Sequence, residues 1–151
     1  DLLEQPLLMR DWLEEFRSEM AHLTAASQDI IEQASLLWKV IYHAVWVMQA
    51  HMQDILIVRH EDLSADPVEG FGRLYHTLGL DFHERARRAV MQSSSAANPS
   101  ETSLRKVHSV RLDSRASLQN WKRRLSREDI QRVRHLTEEV AGHYYSQEEW
   151  E

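Results

Sequence analysis

The chain has 151 residues, a formal net charge of −6 and no cysteine. Its length suits a single domain, and the absence of cysteine excludes disulfides and thiolate metal sites. Every apolar run is shorter than the roughly 18 residues that a membrane-spanning helix needs. We therefore expect no membrane segment and a reducing compartment, which we take to be the cytoplasm.

The charges are unevenly distributed along the chain. Residues 1–84 carry a net charge of −10, whereas residues 85–134 hold 13 basic and 4 acidic side chains, a net charge of +9. A basic block inside an acidic chain is typical of a site for a phosphate or a polyanion. A solvated face that balances acidic helices has the same composition, so charge alone leaves both interpretations open.

Two amphipathic helices are predicted in the first third of the chain. Apolar residues spaced three and four apart predict a helix over about Pro6–Leu23. Ser27 is the predicted N-cap of the next helix, and Asp29 suits its first turn. An apolar stripe over Ile30–Met52 extends that helix to about 25 residues.

The segment from Ile55 to Pro67 predicts a strand, a site and a helix in succession. Four consecutive apolar residues, Ile55–Val58, are typical of a strand covered on both faces in a parallel sheet. We place this strand at residues 55–60 and predict an α/β fold. His60 then lies at the carboxyl end of the strand, where open α/β sheets bind their ligands. A histidine there suits either a ligand contact or a structural role between strand and helix.

Caps and glycines delimit further helices. Asp66 and Pro67 fit an N-cap and a first helical position, and Asp81 fits a second N-cap. Residues 93–102 are small, polar and typical of a loop. The predicted helices span about residues 68–78, 81–92, 115–125 and 127–141, the last capped by Ser126 and closed by Gly142.

A second candidate site lies between Lys106 and Lys122. Ser114 and Arg115 stand where a helix should begin, and helix-start N–H groups, a hydroxyl and a guanidinium suit a phosphate. Arg111 and Lys106 add positive charge. The histidines have no metal-binding spacing, and neither a glycine-rich phosphate loop nor a serine elbow is present.

A lone strand indicates that sequence is missing. Its backbone groups would be unpaired on both edges, so we expect partner strands from upstream sequence rather than from strand pairing in a dimer. The chain also begins without Met. We therefore expect residues 1–151 to form one partial domain of a longer protein.

Several motifs agree in order and spacing with those of one enzyme family. Val58–Leu63 and Ala65–Pro67 resemble a Val-Arg-Tyr-Glu-Asp-Leu segment and the Asp-Pro helix start that follows it. Ser114–Ala116 precedes Trp121–Lys122 by the same distance at which an Arg-Lys-Gly triplet precedes Trp-Lys in this family. Ser93–Ser95, followed by Asn98 and Pro99, resembles a serine-bearing turn with Asn-Pro. Together these segments resemble the sulfotransferases that use 3′-phosphoadenosine 5′-phosphosulfate (PAPS), over nearly the whole chain.

The resemblance implies roles for individual residues. His60 matches a tyrosine that lies against the adenine, and Ser93–Ser95 match residues that face the adenine or its ribose. Arg115 matches a lysine that helps to hold the 3′-phosphate, and Ser114 replaces an adjacent arginine. Arg111 or Lys106 would compensate for that lost cation. The expected cofactor-binding residues are His60, Ser93, Ser94, Ser95, Lys106, Arg111, Ser114 and Arg115.

The resemblance also implies a fold and an activity. The chain would be the mostly helical C-terminal half of a three-layer, P-loop-like α/β fold. The complete enzyme would transfer a sulfuryl group from PAPS to a hydroxyl or amine of a small-molecule, glycan or lipid acceptor. The family's phosphosulfate loop and catalytic base lie upstream of the matched region. We therefore assign no catalytic residue here and expect no turnover by this chain alone.

A function of a different class is also compatible with the composition. In this alternative the chain is a helical binding module whose basic region, residues 85–134, binds nucleic acid or another polyanion. The sulfotransferase interpretation requires no nucleic acid, so ligand specificity separates the two. The salt dependence of any DNA binding would identify the alternative.

Overall fold

The computed structural model describes residues 2–26, 29–52, 54–101 and 111–150. Over these residues the regular structure is helical. The α-helices, in chain order, are α1 (Pro6–Leu8), α2 (Arg17–Ala26), α3 (Ile30–His51), α4 (His60–Ala65), α5 (Pro67–Thr77), α6 (Glu84–Ser94), α7 (Ser114–Ser117), α8 (Asn120–Arg124) and α9 (Arg127–Ala141). A π-helical turn over Met9–Leu13 and 3-10 turns over Leu2–Glu4, Glu14–Phe16 and Gln147–Trp150 complete the helical structure.

The prediction of a strand at residues 55–60 is wrong, and so is the α/β class for the described part of the chain. Residues 55–59 have no regular structure, and His60 begins α4 instead of ending a strand. A strand needs neighbours that pair its N–H and C=O groups, and the described residues form no strand beside this segment. Leu56 and Val58 are 48% and 40% exposed. The apolar run is therefore not covered on both faces, as the prediction required.

The chain divides into two compact units. The terminal unit comprises Asp1–Ile57 and Ser126–Glu151, and the central unit comprises Val58–Leu125. The prediction of a single partial domain over residues 1–151 stays a prediction. None of the helices in the described ranges is both long enough and apolar enough to cross a membrane.

The terminal unit is built on the long helix α3. Asp29, not the predicted Ser27, is its N-cap, because the Asp29 carboxylate accepts hydrogen bonds from the N–H groups of Ile31 and Glu32. Ser27 lies outside the described residues. α9 packs along α3, and the Arg132 guanidinium of α9 binds the Asp29 carboxylate. The buried apolar core comprises Met9, Leu13, Phe16, Met20, Leu36 and Val40.

A lysine on α3 is nearly buried beside this core. The Lys39 side chain is only 11% exposed, and its ammonium lies 2.7 and 2.9 Å from the two carboxylate oxygens of Glu19 on α2. The ammonium also lies 5.5 Å from the centre of the Phe16 ring. Burial of an ammonium is costly unless it is paired, so Glu19 makes the position of Lys39 possible.

The central unit begins with α4 and α5, which lie close together at a glycine. A Cβ added at Gly70 would lie 3.1 Å from Leu63 Cδ2 and 3.3 Å from Leu63 Cα. The predicted end of α5 is confirmed. Gly79 has a φ of +67°, and the N–H groups of Gly79 and Leu80 bond the carbonyls of His76 and Tyr75, as in a Schellman motif.

Two predicted helix starts differ from the structure. Pro67 occupies the first turn of α5 as predicted, but the Asp66 side chain makes no capping bond. α6 is capped by His83, whose Nδ1 accepts a hydrogen bond from the Ala86 N–H at 3.1 Å, and not by Asp81. The predicted helix over residues 115–125 is divided into α7 and α8.

Candidate functional site

The carbonyl groups at the end of α6 bind donors from the following chain. The last four carbonyls of a helix have no partner inside it. In α6 the Gln92 carbonyl accepts from Asn98 Nδ2 at 2.8 Å, and the Ser93 carbonyl accepts from the Leu112 N–H at 2.9 Å. The Ser94 carbonyl lies 3.4 Å from the Ser114 hydroxyl. The end of α6 is therefore held against the segment that leads into α7.

The end of α4 is satisfied by the same segment. The Ser114 hydroxyl donates to the carbonyl of Ser64 at 3.0 Å, and Arg115 Nε donates to the carbonyl of Ala65. Both carbonyls belong to the last turn of α4 and lack partners inside the helix. A guanidinium at a helix C-terminus also complements its partial negative charge. The first residues of α7 thus join the ends of α4 and α6. We call this junction the helix-end cluster: Ser64, Ala65, Ser94, Ser114 and Arg115.

His60 is connected to this cluster through one serine. Its Nε2 lies 3.2 Å from the Ser64 hydroxyl, one helical turn later in α4. Ser64 is buried, with 6% exposure, whereas the His60 side chain is exposed. The structure therefore brings His60 and the Ser114–Arg115 pair to one short helix, although more than fifty residues separate them in sequence.

Arg115 is the cation of the cluster. Its Nε donates a hydrogen bond to the Ala65 carbonyl, and within the described ranges its two terminal nitrogens have no hydrogen-bond or carboxylate partner. The side chain is exposed. The bond through Nε fixes the start of the guanidinium group, so its other N–H groups are available to an anion.

The helix start beside Arg115 is less open than the sequence suggests. Asp113 is the N-cap of α7, and its carboxylate accepts from the Ala116 N–H at 3.0 Å. The Ser114 hydroxyl is already bonded to two carbonyls. Of the predicted phosphate-binding groups, the Arg115 side chain is therefore the one best placed to meet an anion.

The three predicted serines differ in their availability. The hydroxyls of Ser93 and Ser94 donate to carbonyls one turn earlier in α6, at 2.9 and 2.7 Å. The Ser95 hydroxyl accepts from the Ala97 N–H at 3.1 Å, and its own proton has no acceptor among the described residues. Ser95 is therefore the serine of this group with a hydroxyl proton to offer.

The two remaining predicted cations are Arg111, which the structure describes, and Lys106, which it does not. Arg111 is exposed and immediately precedes Leu112, which bonds the end of α6. Lys106 lies outside the described residues. Farther along, Arg123 and Arg124 approach the carboxylate of Glu101 at 3.6 and 3.3 Å, so part of the basic block has an internal counter-charge.

An ion pair stabilises the start of α4 next to His60. Arg59 Nε and a terminal nitrogen of the same side chain bond the two carboxylate oxygens of Asp62 at 3.0 and 2.6 Å. Hydrogen bonding by Arg59 holds the pKa of the Asp62 carboxyl below its ordinary value, although partial burial opposes the shift. Asp62 thereby anchors the first turn of α4.

Sequence reasoning missed three residues that build this site. Ser64 bridges His60 and Ser114, Asp113 caps α7, and Asn98 binds the end of α6. An aspartate directly before a predicted helix is a recognised N-cap signal and was available in the sequence. Ser64 depends on a contact with the distant Ser114, for which the local sequence has no signal, whereas Asn98 was identified in an Asn-Pro motif but without this role.

Comparison with known proteins places the chain in a family. The family model described as Sulfotransferase domain matches residues 7–144, more than nine tenths of the chain. No curated protein and no solved structure is similar enough to count as a match. Because the family match covers both compact units, the chain belongs to the sulfotransferase domain family.

Proposed function

We propose that this chain supplies the adenine and 3′-phosphate contacts of a sulfotransferase that uses PAPS as sulfuryl donor. The observation that carries the proposal is the helix-end cluster, which holds Arg115 beside α4 and joins it through Ser114 and Ser64 to His60. A cation suits the phosphate of a 3′-phosphorylated nucleoside, and a ring and a hydroxyl suit its base and ribose.

Arg115 is proposed to bind the 3′-phosphate. Its Nε bond to the Ala65 carbonyl fixes the side chain, so little conformational freedom is lost when the terminal N–H groups bind an anion. A guanidinium can bind a phosphate through two parallel hydrogen bonds. Ser114, in contrast, contributes by holding Arg115 in place, since its hydroxyl bonds the ends of two helices.

His60 and Ser95 are proposed to lie on the base and ribose side. The imidazole of His60 is exposed at the start of α4, where it can contact an adenine. Ser95 directly follows Ser94, the last residue of α6, and the Ser94 carbonyl is part of the helix-end cluster. When bound, PAPS would supply the sulfuryl group that passes to an acceptor hydroxyl or amine.

The pairing of the basic residues favours this proposal over a polyanion-binding surface. Arg123 and Arg124 approach Glu101, and Arg88 on α6 approaches Glu84 at 3.5 Å. A surface for nucleic acid needs several cations that neutralise successive phosphates. Here these three cations lie beside acids, whereas a single 3′-phosphate needs only one well-placed guanidinium.

A thermal-shift experiment tests the proposal. We expect adenosine 3′,5′-bisphosphate to raise the melting temperature of the full chain, because a ligand that binds only the folded state stabilises it. Duplex DNA of mixed sequence, added at equal phosphate concentration over a salt series, is the control. DNA-dependent stabilisation that disappears with salt, together with no effect of the bisphosphate, would identify the chain as a polyanion-binding module.

A sulfotransfer assay addresses the activity itself. In the resemblance on which the proposal draws, the phosphosulfate loop and the base belong to the upstream half of the enzyme. We therefore expect nucleotide binding without turnover from the 151 residues. Sulfuryl transfer by this chain from PAPS to a phenol or amine acceptor would show that its own residues include a complete catalytic apparatus.

A further inference from the structure

Ser64 has two separate contacts that connect the proposed site. Its backbone carbonyl accepts from the Ser114 hydroxyl at 3.0 Å, and its side-chain hydroxyl lies 3.2 Å from His60 Nε2. The residue is only 6% exposed. Ser64 therefore lies beneath His60, away from solvent, and is held in place from its backbone side by α7.

The burial of the Ser64 hydroxyl decides which way its bond to His60 runs. Among the described residues His60 Nε2 is the one partner of this hydroxyl, and a buried O–H without an acceptor is strongly disfavoured. The hydroxyl proton must therefore point to Nε2. A neutral imidazole carries one proton, so an accepting Nε2 places that proton on Nδ1.

The consequence is a hydrogen-bond donor on the open side of the ring. His60 is exposed, and its Nδ1 has no partner in the described ranges. We infer that Ser64 is a positioning residue that fixes His60 as the Nδ1–H tautomer, so that the imidazole donates a hydrogen bond to an acceptor ring nitrogen of a bound purine. This inference rests on the proposed function, because it requires a nucleotide base beside His60.

The tautomer can be measured without any ligand. Long-range proton–nitrogen NMR spectra of the full chain at pH 8 distinguish a protonated ring nitrogen from an unprotonated one, and a His60→Asn variant assigns the His60 signals among the nine histidines. We expect protonation at Nδ1 in the wild type and a mixed population in Ser64→Ala, with Ser64→Thr restoring the wild-type pattern. An Nε2-protonated His60 in the wild type would overturn the inference.

Binding measurements then connect the tautomer to the base. Calorimetry with adenosine 3′,5′-bisphosphate should show about fivefold weaker binding for Ser64→Ala, as expected for one neutral hydrogen bond. The base-free ribose 3′,5′-bisphosphate should bind both proteins equally. Equal affinities of the two proteins for the adenosine ligand would overturn the inference and leave the proposed function intact. If the wild type binds neither ligand, the proposed function and the inference both fail.

Discussion

The hydroxyl of Ser114 donates a hydrogen bond to the carbonyl oxygen of Ser64 at 3.0 Å, across fifty positions of sequence. The same hydroxyl lies 3.4 Å from the carbonyl of Ser94. One side chain thereby satisfies the ends of two helices, which have no internal partners for these groups. The geometry of the proposed nucleotide site depends on this bond, because Arg115 is the next residue.

Replacement of Ser114 by alanine should destabilise the central unit. Two helix-end carbonyls would lose their common donor, and a lost hydrogen bond with a partly buried partner costs about 1–2 kcal/mol. Urea denaturation of the variant measures this loss. Ser117→Ala is the matched control, because among the described residues the Ser117 hydroxyl donates only to the Ser114 carbonyl within the same turn. A loss no larger than that of Ser117→Ala would contradict the role given to Ser114.

Two glycines of α5 should respond oppositely to alanine. A Cβ at Gly70 would lie 3.3 Å from the backbone of Leu63, whereas a Cβ at Gly72 would meet, within the part of the chain that the structure describes, only the Phe82 ring, at 3.5 Å or more. Alanine stabilises a helix interior by up to about 1 kcal/mol relative to glycine. We expect Gly72→Ala to raise the free energy of unfolding. The free energy of unfolding of Gly70→Ala should lie about 1–2 kcal/mol below that of Gly72→Ala, because α4 must shift to accommodate the added methyl group.

Nucleotide affinity provides a second readout for the glycine pair. α4 carries His60 and the carbonyls that bind Ser114 and Arg115. A displacement of α4 by Gly70→Ala should therefore also weaken binding of adenosine 3′,5′-bisphosphate, while Gly72→Ala leaves it unchanged. Equal stabilisation and equal binding in the two variants would show that α4 and α5 accommodate the added methyl group.

The stability of the terminal unit should fall in acid through Asp29. Hydrogen bonds from Arg132, then from the backbone N–H of Ile31, hold the Asp29 pKa below its ordinary value. Because the folded-state pKa is lower than the unfolded one, the carboxylate stabilises the fold above about pH 4. That stabilisation is lost as the pH falls through the lowered folded-state value.

The acid effect is measured as the melting temperature between about pH 6 and pH 2. Asp29→Asn should show a smaller decrease than the wild type, because asparagine retains the N-cap acceptor but has no titrating group. Arg132→Ala should reduce the decrease as well, since Arg132 is the largest cause of the shift. Parallel pH profiles of the three proteins would exclude this ion pair as a source of acid lability.

The two residues of the Lys39–Glu19 ion pair should differ in how much stability is lost when each is replaced. The Lys39 side chain is 11% exposed and that of Glu19 is 42% exposed. Glu19→Gln leaves an almost buried ammonium without its counter-charge, whereas Lys39→Met leaves a carboxylate that water can reach. We expect Glu19→Gln to lose about 1–3 kcal/mol and Lys39→Met to lose less. Chemical denaturation compares the two, and the reverse order would contradict the burial argument.

The sequence predicted those elements whose determinants are local. The end of α5 at Gly79 and the start of α9 at Ser126 are confirmed, because a left-handed glycine and a serine N-cap act within one turn. The strand at residues 55–60 is wrong, because an apolar run shows only that a segment could be covered. Whether it is covered depends on neighbours elsewhere in the chain.

The candidate site, like the fold, could be predicted only where its determinants are local. His60 and Arg115 could be named from local motifs, but their connection depends on Ser64, whose partners are a histidine one turn away and a serine fifty positions later. A serine inside a short helix has no local feature that indicates such a role. The satisfaction of helix-end carbonyls by distant side chains becomes visible only in the structure.

The most direct test of the account is the affinity for adenosine 3′,5′-bisphosphate, measured by calorimetry at fixed salt, of wild type, Arg115→Ala and Lys122→Ala. Arg115 offers its terminal N–H groups beside α4, whereas the Lys122 ammonium lies over the Trp121 ring, 5.3 Å from its centre. Both changes remove one positive charge from the central unit. We expect Arg115→Ala to weaken binding roughly tenfold to a hundredfold, as for charge-assisted hydrogen bonds, and Lys122→Ala to have little effect. Equal losses in the two variants would contradict the assignment of Arg115 to the 3′-phosphate.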